Sequence, residues 1–350
     1  MLVKSLKLKN FRNHSYLYYE FKPGINIFTG NNGVGKTNIV EAIYYLSLAR
    51  SFRTQEDKDL IKEGKDIAEI DSVVLEGEIN RKIRFLFTDQ GRQVFINNKP
   101  VRKLSELSRC VNVVLFEPKD VLLFRGSPKN RRNFLDINIS KKIPAYLDYI
   151  SRYEKVLKQR NDILKADNVD LLLLDTTTKL LVELSKPIIQ FREAYVKDIN
   201  DILIKITRAL TGVSKPVKML YEPFVKVDDN FQTNAEEAFK RSLEGDLKRK
   251  ATSIGVHRED FVVTLKDKDI GEFGSQGENR LVSLALKLSP YFLIQDKDKR
   301  PIVVLDDVMS ELDQTHRMRL IKLLSKFEQV FITATRLEVK GAAQYVLKEK

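Results

Sequence analysis

Apolar and polar residues alternate over much of the first hundred residues, and this period of two predicts β-strands. The alternation is clear in KSLKLKN at 4–10, SYLYYEF at 15–21 and KIRFLF at 82–87. The last of these is joined to QVFIN at 93–97 by TDQGR, whose composition is typical of a turn. The amino-terminal part of the chain is therefore predicted to be rich in antiparallel strands and hairpins.

Helical spacing replaces the alternation between about 142 and 211. Apolar residues such as Tyr146 and Ile150 recur there every three or four positions, and a second long segment after Pro187 stops at Gly212. The pattern predicts a helical hairpin, with helices of about 20–25 residues.

Strands and helices alternate again after residue 251. The spacing predicts a helix from about 277 to 294, a strand at IVVL (302–305), a helix around 314–326 and a strand at QVFIT (329–333). Such an alternation is how an α/β sheet is continued along a chain.

The two chain ends are therefore predicted to build one α/β domain around a helical insertion. We expect lobe I to comprise residues 1–118 and 251–350, and lobe II to be the mainly helical insertion at 119–250. Within lobe II, the polar or irregular segments 165–175 and 226–237 are predicted to be loops.

The net charge of the chain indicates which partners it attracts. A formal net charge of +13, from 61 basic and 48 acidic residues, attracts polyanions such as nucleic acid or an anionic membrane surface. No apolar run approaches the roughly 18 residues of a membrane span, and the amino terminus lacks the apolar segment of a secretion signal. The single cysteine, Cys110, cannot form an internal disulfide, and His14, His257 and His316 are too scattered to suggest a metal site. A cytoplasmic protein without a membrane partner is expected.

An eight-residue segment matches the phosphate-loop pattern G-x-x-x-x-G-K-[ST]. Its residues are Gly30, Asn31, Asn32, Gly33, Val34, Gly35, Lys36 and Thr37. INIFT before it reads as a strand and NIVEAIYYLSLA after it as a helix, which is the context that the pattern requires. Backbone N–H groups and the helix N-terminus then favour phosphate. We predict an ATP site in which Lys36 contacts the β and γ phosphates and Thr37 binds Mg²⁺; the alternative is an accidental glycine turn before a helix.

A phosphate loop also needs a carboxylate that positions magnesium, and PIVVLDD at 301–307 supplies one. The apolar strand delivers Asp306 to its carboxyl end, where open α/β sheets place their ligands. Asp306 is the predicted metal ligand, and Asp307 is the predicted base for the attacking water. The alternative is that the two carboxylates cap the next turn.

Three further motifs resemble those of the ATP-binding-cassette (ABC) ATPases. SQGE at 275–278, LDD at 305–307 and SELD at 310–313 match the signature loop, the Walker B strand and the D-loop in their usual order. The resemblance implies that Ser275, Gln276, Gly277 and Glu278 act in trans on the ATP of a partner head, and that Ser310 and Asp313 belong to the D-loop. The alternative for SQGE is a surface loop that caps a helix.

Longer motifs resemble the RecF family of bacterial ATPases over essentially the whole chain. The matching pieces are LKLKNFRN at 6–13, FTGNNGVGKTNIVEAI at 28–43, FRGSPKNRRNFLD at 124–136, GVHRED at 255–260, GSQGENR at 274–280 and LDDVMSELD at 305–313. The resemblance implies an ABC-type head of mixed sheet with an inserted helical lobe. It also implies weak DNA-stimulated ATP hydrolysis used as a switch, and ATP-dependent dimers on duplex, gapped or junction DNA. The implied partners are RecO and RecR, which help to load RecA in recombination, replication restart and the SOS response to DNA damage.

Arg12, in the FRN piece, aligns with an arginine that contacts nucleotide phosphate in related DNA-repair heads. The alternative is a solvated arginine in a turn.

The sequence departs from the wider ABC pattern at the residues that usually sense the γ-phosphate. Asp307 stands where glutamate is usual, and its shorter side chain should hold the attacking water less well. Thr333 and Thr335 stand where a switch histidine is expected, and they can hydrogen-bond a phosphate but carry no charge. No clear Q-loop glutamine occurs near VVLFEPKD at 113–120, and Val256 replaces the proline of the RecF pattern. Slow turnover is therefore expected.

Two basic stretches are candidates for DNA contact. Residues 81–103 carry seven basic residues and one acid, and residues 121–135 carry four basic residues and no acid. Phosphate contacts need such side chains on ordered elements and give no sequence readout. The candidate residues are Arg81, Arg84, Arg92, Arg131 and Arg132. The alternatives are that these charges form solvated faces, and that the second stretch supports the junction between lobes.

Other ABC-type machines remain as alternative functions. A transporter's energising subunit would share the loop and the signature, but the missing switch histidine, the FRN and RRNFLD pieces and the basic charge oppose it. An SMC-like chromosome protein would carry long coiled coils, for which the predicted helices are too short. A fused nuclease would need a further acidic metal cluster, and none follows residue 313.

Overall fold

The structure is a computed structural model that describes residues 1–348. Its strands are β1 (Leu2–Phe11), β2 (His14–Glu20), β3 (Gly24–Thr29), β4 (Ala68–Glu76), β5 (Ile79–Thr88), β6 (Gly91–Ile96), β7 (Lys99–Pro100), β8 (Val113–Phe116), β9 (Val217–Glu222), β10 (Asp260–Leu265), β11 (Lys268–Asp269), β12 (Ile302–Leu305), β13 (Gln329–Ala334) and β14 (Ala343–Val346). Its α-helices are α1 (Lys36–Leu48), α2 (Ser105–Cys110), α3 (Pro128–Lys142), α4 (Pro144–Lys165), α5 (Leu171–Thr211), α6 (Phe231–Arg249), α7 (Ile270–Phe273), α8 (Gln276–Leu293) and α9 (Gln314–Leu324). None of the helices in this described part is long and apolar enough to cross a membrane.

Six strands form an antiparallel sheet in the order β2-β1-β4-β5-β6-β7. Strand β5 shows its two faces: Ile83, Phe85 and Phe87 are fully buried, whereas Lys82 and Arg84 are exposed. The buried face packs in one hydrophobic core with apolar residues of α1. The predicted antiparallel strands are confirmed, because an alternating sequence can bury one face of a sheet and solvate the other.

A second sheet of parallel strands has the order β14-β3-β13-β12-β8. Strand β12, the predicted IVVL strand, is buried along its whole length. Its last residue, Leu305, pairs with Phe116 of β8 and Ile332 of β13. Neighbouring strands therefore end at one edge, where open α/β sheets bind ligands.

Contacts between residues divide the chain into two compact units. The first unit comprises Met1–Asp120, Ile206–Ser214 and the chain from Leu284 onward, and the second comprises Val121–Lys205 and Lys215–Ser283. The second unit begins within two residues of the predicted insertion but extends beyond residue 250. It does so because β10 pairs with both β9 and β11 in a three-stranded antiparallel sheet. The boundaries of lobes I and II as domains stay a prediction.

Helix α5 is longer than the sequence pattern predicted. It spans 41 residues and contains Pro187 in its interior. It begins within the predicted loop at 165–175, because the Oδ1 atom of Asp170 accepts a hydrogen bond of 3.0 Å from the N–H of Leu172. Apolar residues are buried on both sides of Pro187, and this packing outweighs the local cost of proline in a helix. The predicted helix length of about 20–25 residues is therefore wrong for α5.

The predicted loop at 226–237 is also wrong in its second half. Helix α6 begins at Phe231, and Phe231, Ala235 and Phe239 are buried at a spacing of four residues. The polar residues between them obscured this helical face in the sequence.

Candidate nucleotide-binding site

The predicted phosphate loop connects β3 to α1 at the carboxyl edge of the parallel sheet. Gly30 has φ of 149° and Gly35 has φ of 99°, a backbone conformation that favours glycine. A Cβ atom on Gly30 would lie 2.5 Å from the carbonyl oxygen of Leu347, and one on Gly35 would lie 2.5 Å from Nε2 of His14. A side chain is therefore excluded at both positions, because the backbone angle disfavours it and because a neighbouring atom occupies its place.

Lys36 is folded back onto the loop. Its Nζ atom donates hydrogen bonds to the carbonyl oxygens of Gly30, at 2.8 Å, and Asn31, at 2.7 Å. Burial lowers the pKa of the Lys36 ammonium group, while the carboxylates of Asp307 and Asp306 act in the opposite direction. The lysine is thus held between the phosphate loop and the two acidic residues.

A chain of hydrogen bonds joins the phosphate loop to the end of β12. Thr37 donates to Oδ1 of Asp306 over 3.0 Å, and Thr333 donates to the same oxygen over 2.7 Å. The Thr333 hydroxyl in turn accepts from the N–H of Asp307 over 2.9 Å. Burial raises the pKa of Asp306, and the two hydroxyl hydrogen bonds oppose this rise.

The donor set around Asp306 fits a magnesium ion bound together with a nucleotide. Mg²⁺ prefers oxygen ligands and is usually held by one or two carboxylates plus substrate phosphates. The Thr37 hydroxyl and the Asp306 carboxylate lie within 3.0 Å of each other beside the phosphate loop, so both can face one cation. Their assignment as metal ligands stays a prediction.

Asp307 has the features of a functional group held under strain. Its φ is 49°, in the left-handed region that non-glycine residues rarely adopt. Its Oδ1 atom is buried and accepts no hydrogen bond from the described residues. A buried oxygen without a donor is unfavourable by about 1–3 kcal/mol, so this atom is suited to accept a hydrogen bond from a bound group.

Arg12 is part of the support of helix α1. Its Nε and Nη2 atoms donate to the two carboxylate oxygens of Glu41, at 3.0 and 2.6 Å, and Nη1 donates to the carbonyl of Asp59 at 2.8 Å. Glu41 is fully buried on α1, so this two-pronged pair fixes the helix that follows the phosphate loop. The predicted contact between Arg12 and nucleotide stays a prediction.

Sequence reasoning missed four residues that surround the phosphate loop. The ring of His14 lies 3.1 Å from the carbonyl oxygen of Gly35. Asn13 accepts a hydrogen bond of 2.7 Å from the side chain of Asn38, whose own oxygen accepts from Arg53 over 2.7 Å. No periodic pattern marks these residues; Asn13 and Asn38 lie within the motif pieces at 6–13 and 28–43, which gave them no role of their own, and His14 and Arg53 lie outside both pieces.

The predicted signature residues lie at the start of α8, in the second unit. The Ser275 hydroxyl accepts from the N–H of Glu278 over 3.2 Å, and the Glu278 carboxylate accepts from the N–H of Ser275 over 3.2 Å. This reciprocal arrangement is a capping box. Lys215 lies 3.1 Å from Glu278 and, as the largest cause, lowers the pKa of that carboxyl. Ser275, Gln276 and Gly277 are exposed, and a Cβ atom on Gly277 would meet no atom within 4 Å.

The predicted D-loop residues flank a short turn after Asp307. The Ser310 hydroxyl donates to the carbonyl oxygen of Asp307 over 2.9 Å. Asp313 caps α9, and its Oδ1 atom accepts from the N–H of His316 over 2.9 Å. That hydrogen bond lowers the pKa of Asp313.

The three predicted DNA-binding arginines of the antiparallel sheet do not share one face. Arg92 lies opposite Phe87, and Arg81 has the parity of Ile83, so both are on the side of the sheet that faces the core. Arg81 donates to Glu76 over 3.0 Å, and Arg92 donates to Asp57 over 2.7 Å. These neighbours favour a structural role for Arg81 and Arg92, and their DNA contacts stay predictions.

Arg84 lies on the solvent face of the sheet. It is paired with Glu69 and lies 3.9 Å from Asp71, with its side chain 44% exposed. Arg84 is therefore the candidate among the three that DNA could reach without rearrangement of the core.

Arg131 and Arg132 hold parts of the second unit together. Arg131 forms a two-pronged pair with Asp260, at 2.7 and 2.6 Å, and donates to the carbonyl oxygen of Gly126 over 2.8 Å. Arg132 donates to the carbonyl oxygen of Glu259 over 2.8 Å. Both side chains are partly buried, so an internal role is favoured, and contact with DNA stays a prediction.

The fold and its phosphate-loop edge define an ATPase head of the ABC type. Residues 2–348 match the family described as RecF/RecN/SMC N terminal domain. A protein of Lactobacillus johnsonii named DNA replication and repair protein RecF is 34% identical over 360 residues, which cover 100% of this chain and 96% of the relative. A protein of the same name from Clostridium botulinum is 36% identical over 341 residues, which cover 97% of this chain and 93% of the relative. The chain belongs to the RecF family, and the resemblance inferred from its motifs is confirmed.

Solved structures support the same fold. The recombination mediator protein RecF of the RecFOR pathway, solved with ATPrS, has a TM-score of 0.88 and 29% identity and covers 99% of this chain and 96% of its own. RecF solved with ATP has a TM-score of 0.87 and 29% identity, covering 98% and 95%. An Smc head domain from Pyrococcus furiosus has a TM-score of 0.59 and 20% identity, covers 95% of this chain and 89% of its own, and shows a shared fold alone. The predicted α/β head with mixed sheets is confirmed.

Proposed function

We propose that this chain is an ATP-dependent recombination mediator in DNA repair and replication restart. ATP binding at the phosphate loop would drive two heads to dimerise on DNA, and slow hydrolysis would release them. The observation that carries the proposal is the convergence of Lys36, Thr37, Asp306 and Asp307 on one edge of the parallel sheet. The solved relatives with ATP and ATPrS support ATP as the nucleotide.

Each residue of the cluster has a distinct role in this proposal. Lys36 binds the β and γ phosphates when it leaves the carbonyl groups of the loop. Thr37 and Asp306 would hold Mg²⁺, which neutralises phosphate charge when bound. Asp307 accepts a proton from the attacking water, and its Oδ1 atom has no competing donor among the described residues. The short side chain of aspartate and the strained backbone at φ of 49° fit a slow enzyme that works as a switch.

The exposed signature loop supports the proposed dimer. The hydrogen bonds of Ser275 and Glu278 are explained by the capping box within this chain, but the glycine at 277 is not, because its Cβ position is open. A partner's γ-phosphate that approaches this helix N-terminus would need such space and would meet a favourable dipole. We therefore propose that the signature contacts the ATP of a second copy and that Ser310 and Asp313 lie beside the same interface.

DNA, RecO and RecR are the proposed partners, with RecA as the protein that is loaded. The net charge of +13 supports a polyanion such as duplex, gapped or junction DNA. The solved relatives are described as belonging to the RecFOR pathway, which supports RecO and RecR. A cytoplasmic location is part of the same proposal.

Sedimentation of the chain with and without ATP, Mg²⁺ and duplex DNA tests this function. The parent should become a dimer with ATP and should bind duplex DNA as that dimer. Lys36→Met should remain monomeric, because the loop loses its charge for the β and γ phosphates. The matched control is Lys326→Met, which changes an exposed lysine of the first unit and should dimerise like the parent. Dimerisation of Lys36→Met at saturating ATP would contradict the assignment of the loop.

A further inference from the structure

Two tyrosines are exposed on the edge strand of the antiparallel sheet. Tyr16 is 58% exposed and Tyr18 is 50% exposed, so much of each aromatic side chain is open to solvent. They are two residues apart on β2, so both project from one face, about 7 Å apart along the strand. Strand β2 is the outermost strand of this sheet, so no further strand of the sheet lies beside the two tyrosines on that side.

Lysines lie directly beside the two rings. Lys9 is paired across the strands with Tyr16, and Lys7 with Tyr18. Lys9 is exposed and forms no ion pair within residues 1–348, whereas Lys7 has only a 4.0 Å contact with Asp71. Aromatic faces and cationic groups thus alternate on a strip defined by Tyr16, Tyr18, Lys7 and Lys9.

The acidic residues near the strip are already engaged. Glu20 accepts a hydrogen bond of 2.8 Å from the hydroxyl of Tyr18, which orients that ring without covering it. Further into the sheet, Arg84 pairs with Glu69 and lies 3.9 Å from Asp71. The strip therefore offers cations to a phosphate chain. Arg84 offsets the charges of Glu69 and Asp71, whereas Glu20 keeps its charge at the end of β2.

We propose that the strip binds single-stranded nucleic acid, with successive bases stacked on Tyr16 and Tyr18 and phosphates paired with Lys7 and Lys9. Aromatic platforms beside cationic groups bind single strands in this way, because every base has a flat face to stack. A duplex keeps its bases stacked inside the helix and offers no such face, so the strip selects the single-stranded side of a junction. The inference rests on the proposed function only in taking DNA as the ligand.

The strip is continuous with the phosphate loop. Strand β2 begins at His14, whose ring lies 3.1 Å from the carbonyl oxygen of Gly35, and Tyr16 is only two residues further along. The same hairpin also carries Arg12, which is paired with Glu41 of α1. A single strand bound to the tyrosines would therefore contact a hairpin that is also bonded to the nucleotide loop.

The absence of tryptophan from this chain makes the proposal directly measurable. Tyr16→Trp and Tyr18→Trp each introduce one tryptophan and keep an aromatic face for stacking. Ile79→Trp is the matched control, since Ile79 is 56% exposed on the same sheet but lies on β5, away from the strip. Oligothymidylate should quench the emission of the two strip variants, and neither the control nor a blunt duplex of equal length should show this quenching.

Binding measurements on alanine variants complete the test. Tyr16→Ala and Tyr18→Ala should each weaken oligothymidylate binding about tenfold, and the corresponding phenylalanine variants should bind like the parent. Unquenched tryptophan together with parental affinity in the alanine variants would overturn the inference and leave the strip to a protein partner. If the parent binds duplex DNA but the strip variants give the negative result, only the inference about the strip fails. If the parent binds neither single-stranded nor duplex DNA, the proposed function fails as well.

Discussion

Replacing Thr333 by valine tests whether its hydroxyl holds the two acidic residues of the site in place. The hydroxyl donates to Asp306 over 2.7 Å and accepts from the N–H of Asp307 over 2.9 Å. Valine has almost the same shape, so the change removes both hydrogen bonds without opening a large cavity. A γ-phosphate sensor would instead need its hydroxyl free to turn toward ATP.

The expected loss of stability follows from the burial of these groups. Thr333 is 1% exposed and Asp306 is 6% exposed. A hydrogen bond to a charged group contributes about 1.5–3 kcal/mol, and a buried N–H without a partner is unfavourable by about 1–3 kcal/mol. The remaining hydrogen bond from Thr37 to Asp306 offsets part of this loss. We expect the free energy of unfolding to fall by about 2–4 kcal/mol at neutral pH.

The loss should become smaller at acid pH. Burial raises the pKa of Asp306, and the hydroxyls of Thr333 and Thr37 counteract the rise. When the pKa of a carboxyl is higher in the folded than in the unfolded state, the folded state binds the proton more tightly. The resulting stabilisation is complete below the pKa of the unfolded state and is lost as the pH rises through the pKa of the folded state. The valine variant raises that pKa further. The free energies of unfolding of the variant and the parent should therefore differ most at pH values above the pKa of Asp306 in the variant. They should differ least at pH values below the ordinary pKa of an aspartate.

Urea unfolding without nucleotide provides the measurement. Thr333→Ser keeps the hydroxyl and should lose only about 1 kcal/mol through its missing buried methyl group, whereas Thr333→Val should unfold at clearly lower urea than either. ATP turnover of the valine variant should fall too, because Asp306 and Asp307 lose their shared support. Identical midpoints for the parent and the valine variant would refute the anchoring role and favour phosphate sensing.

Three other experiments test the proposed base, the internal role of Arg131 and the proposed trans action of the signature. Asp307→Asn should keep ATP binding and prolong the ATP-dependent dimer, because it removes the proposed base; hydrolysis at the parental rate would place the base elsewhere. Arg131→Gln should lower the free energy of unfolding by about 1.5–3 kcal/mol through loss of its hydrogen bonds to Asp260, whereas parental stability with weaker DNA binding would support a DNA contact. Ser275→Arg and Lys36→Met should each stay monomeric with ATP but associate partially when mixed, since one composite site is then complete. Absence of recovery, even with Asp307→Asn added to the Ser275→Arg chain, would count against a signature that acts in trans.

Local patterns in the sequence predicted the strands and the phosphate loop because their causes are local. Alternation in β5 follows from one buried and one solvated face. The glycines at 30 and 35 are required by backbone angles and close neighbours within the loop, so a short motif identifies them. The strand before Asp306 is buried over its whole length, and a continuous apolar run is its direct signal.

The missed features depend on contacts between distant segments. The charge of 81–103 suggested one basic face, but the register with β6 places Arg92 on the core side, where it meets Asp57 and Tyr45. The long helix through Pro187 depends on apolar packing along both of its halves. Neither a strand register nor tertiary packing can be read from the composition of a single segment.

Gly277 separates the two interpretations of the SQGE motif, because both explain Ser275 and Glu278. A capping box accounts fully for those two residues, yet it does not require glycine between them. The Cβ position at Gly277 is open, and glycine in a helix is less favourable than alanine by about 0.5–1 kcal/mol. If the motif only caps α8, Gly277→Ala should stabilise the monomer and leave ATP-dependent association unchanged. If a partner's nucleotide approaches this turn, the same change should stabilise the monomer and weaken the dimer, because the added methyl group occupies the space that the phosphate needs. Sedimentation with ATP, together with urea unfolding of the monomer, measures both effects, and a dimer of parental strength would contradict the trans interpretation.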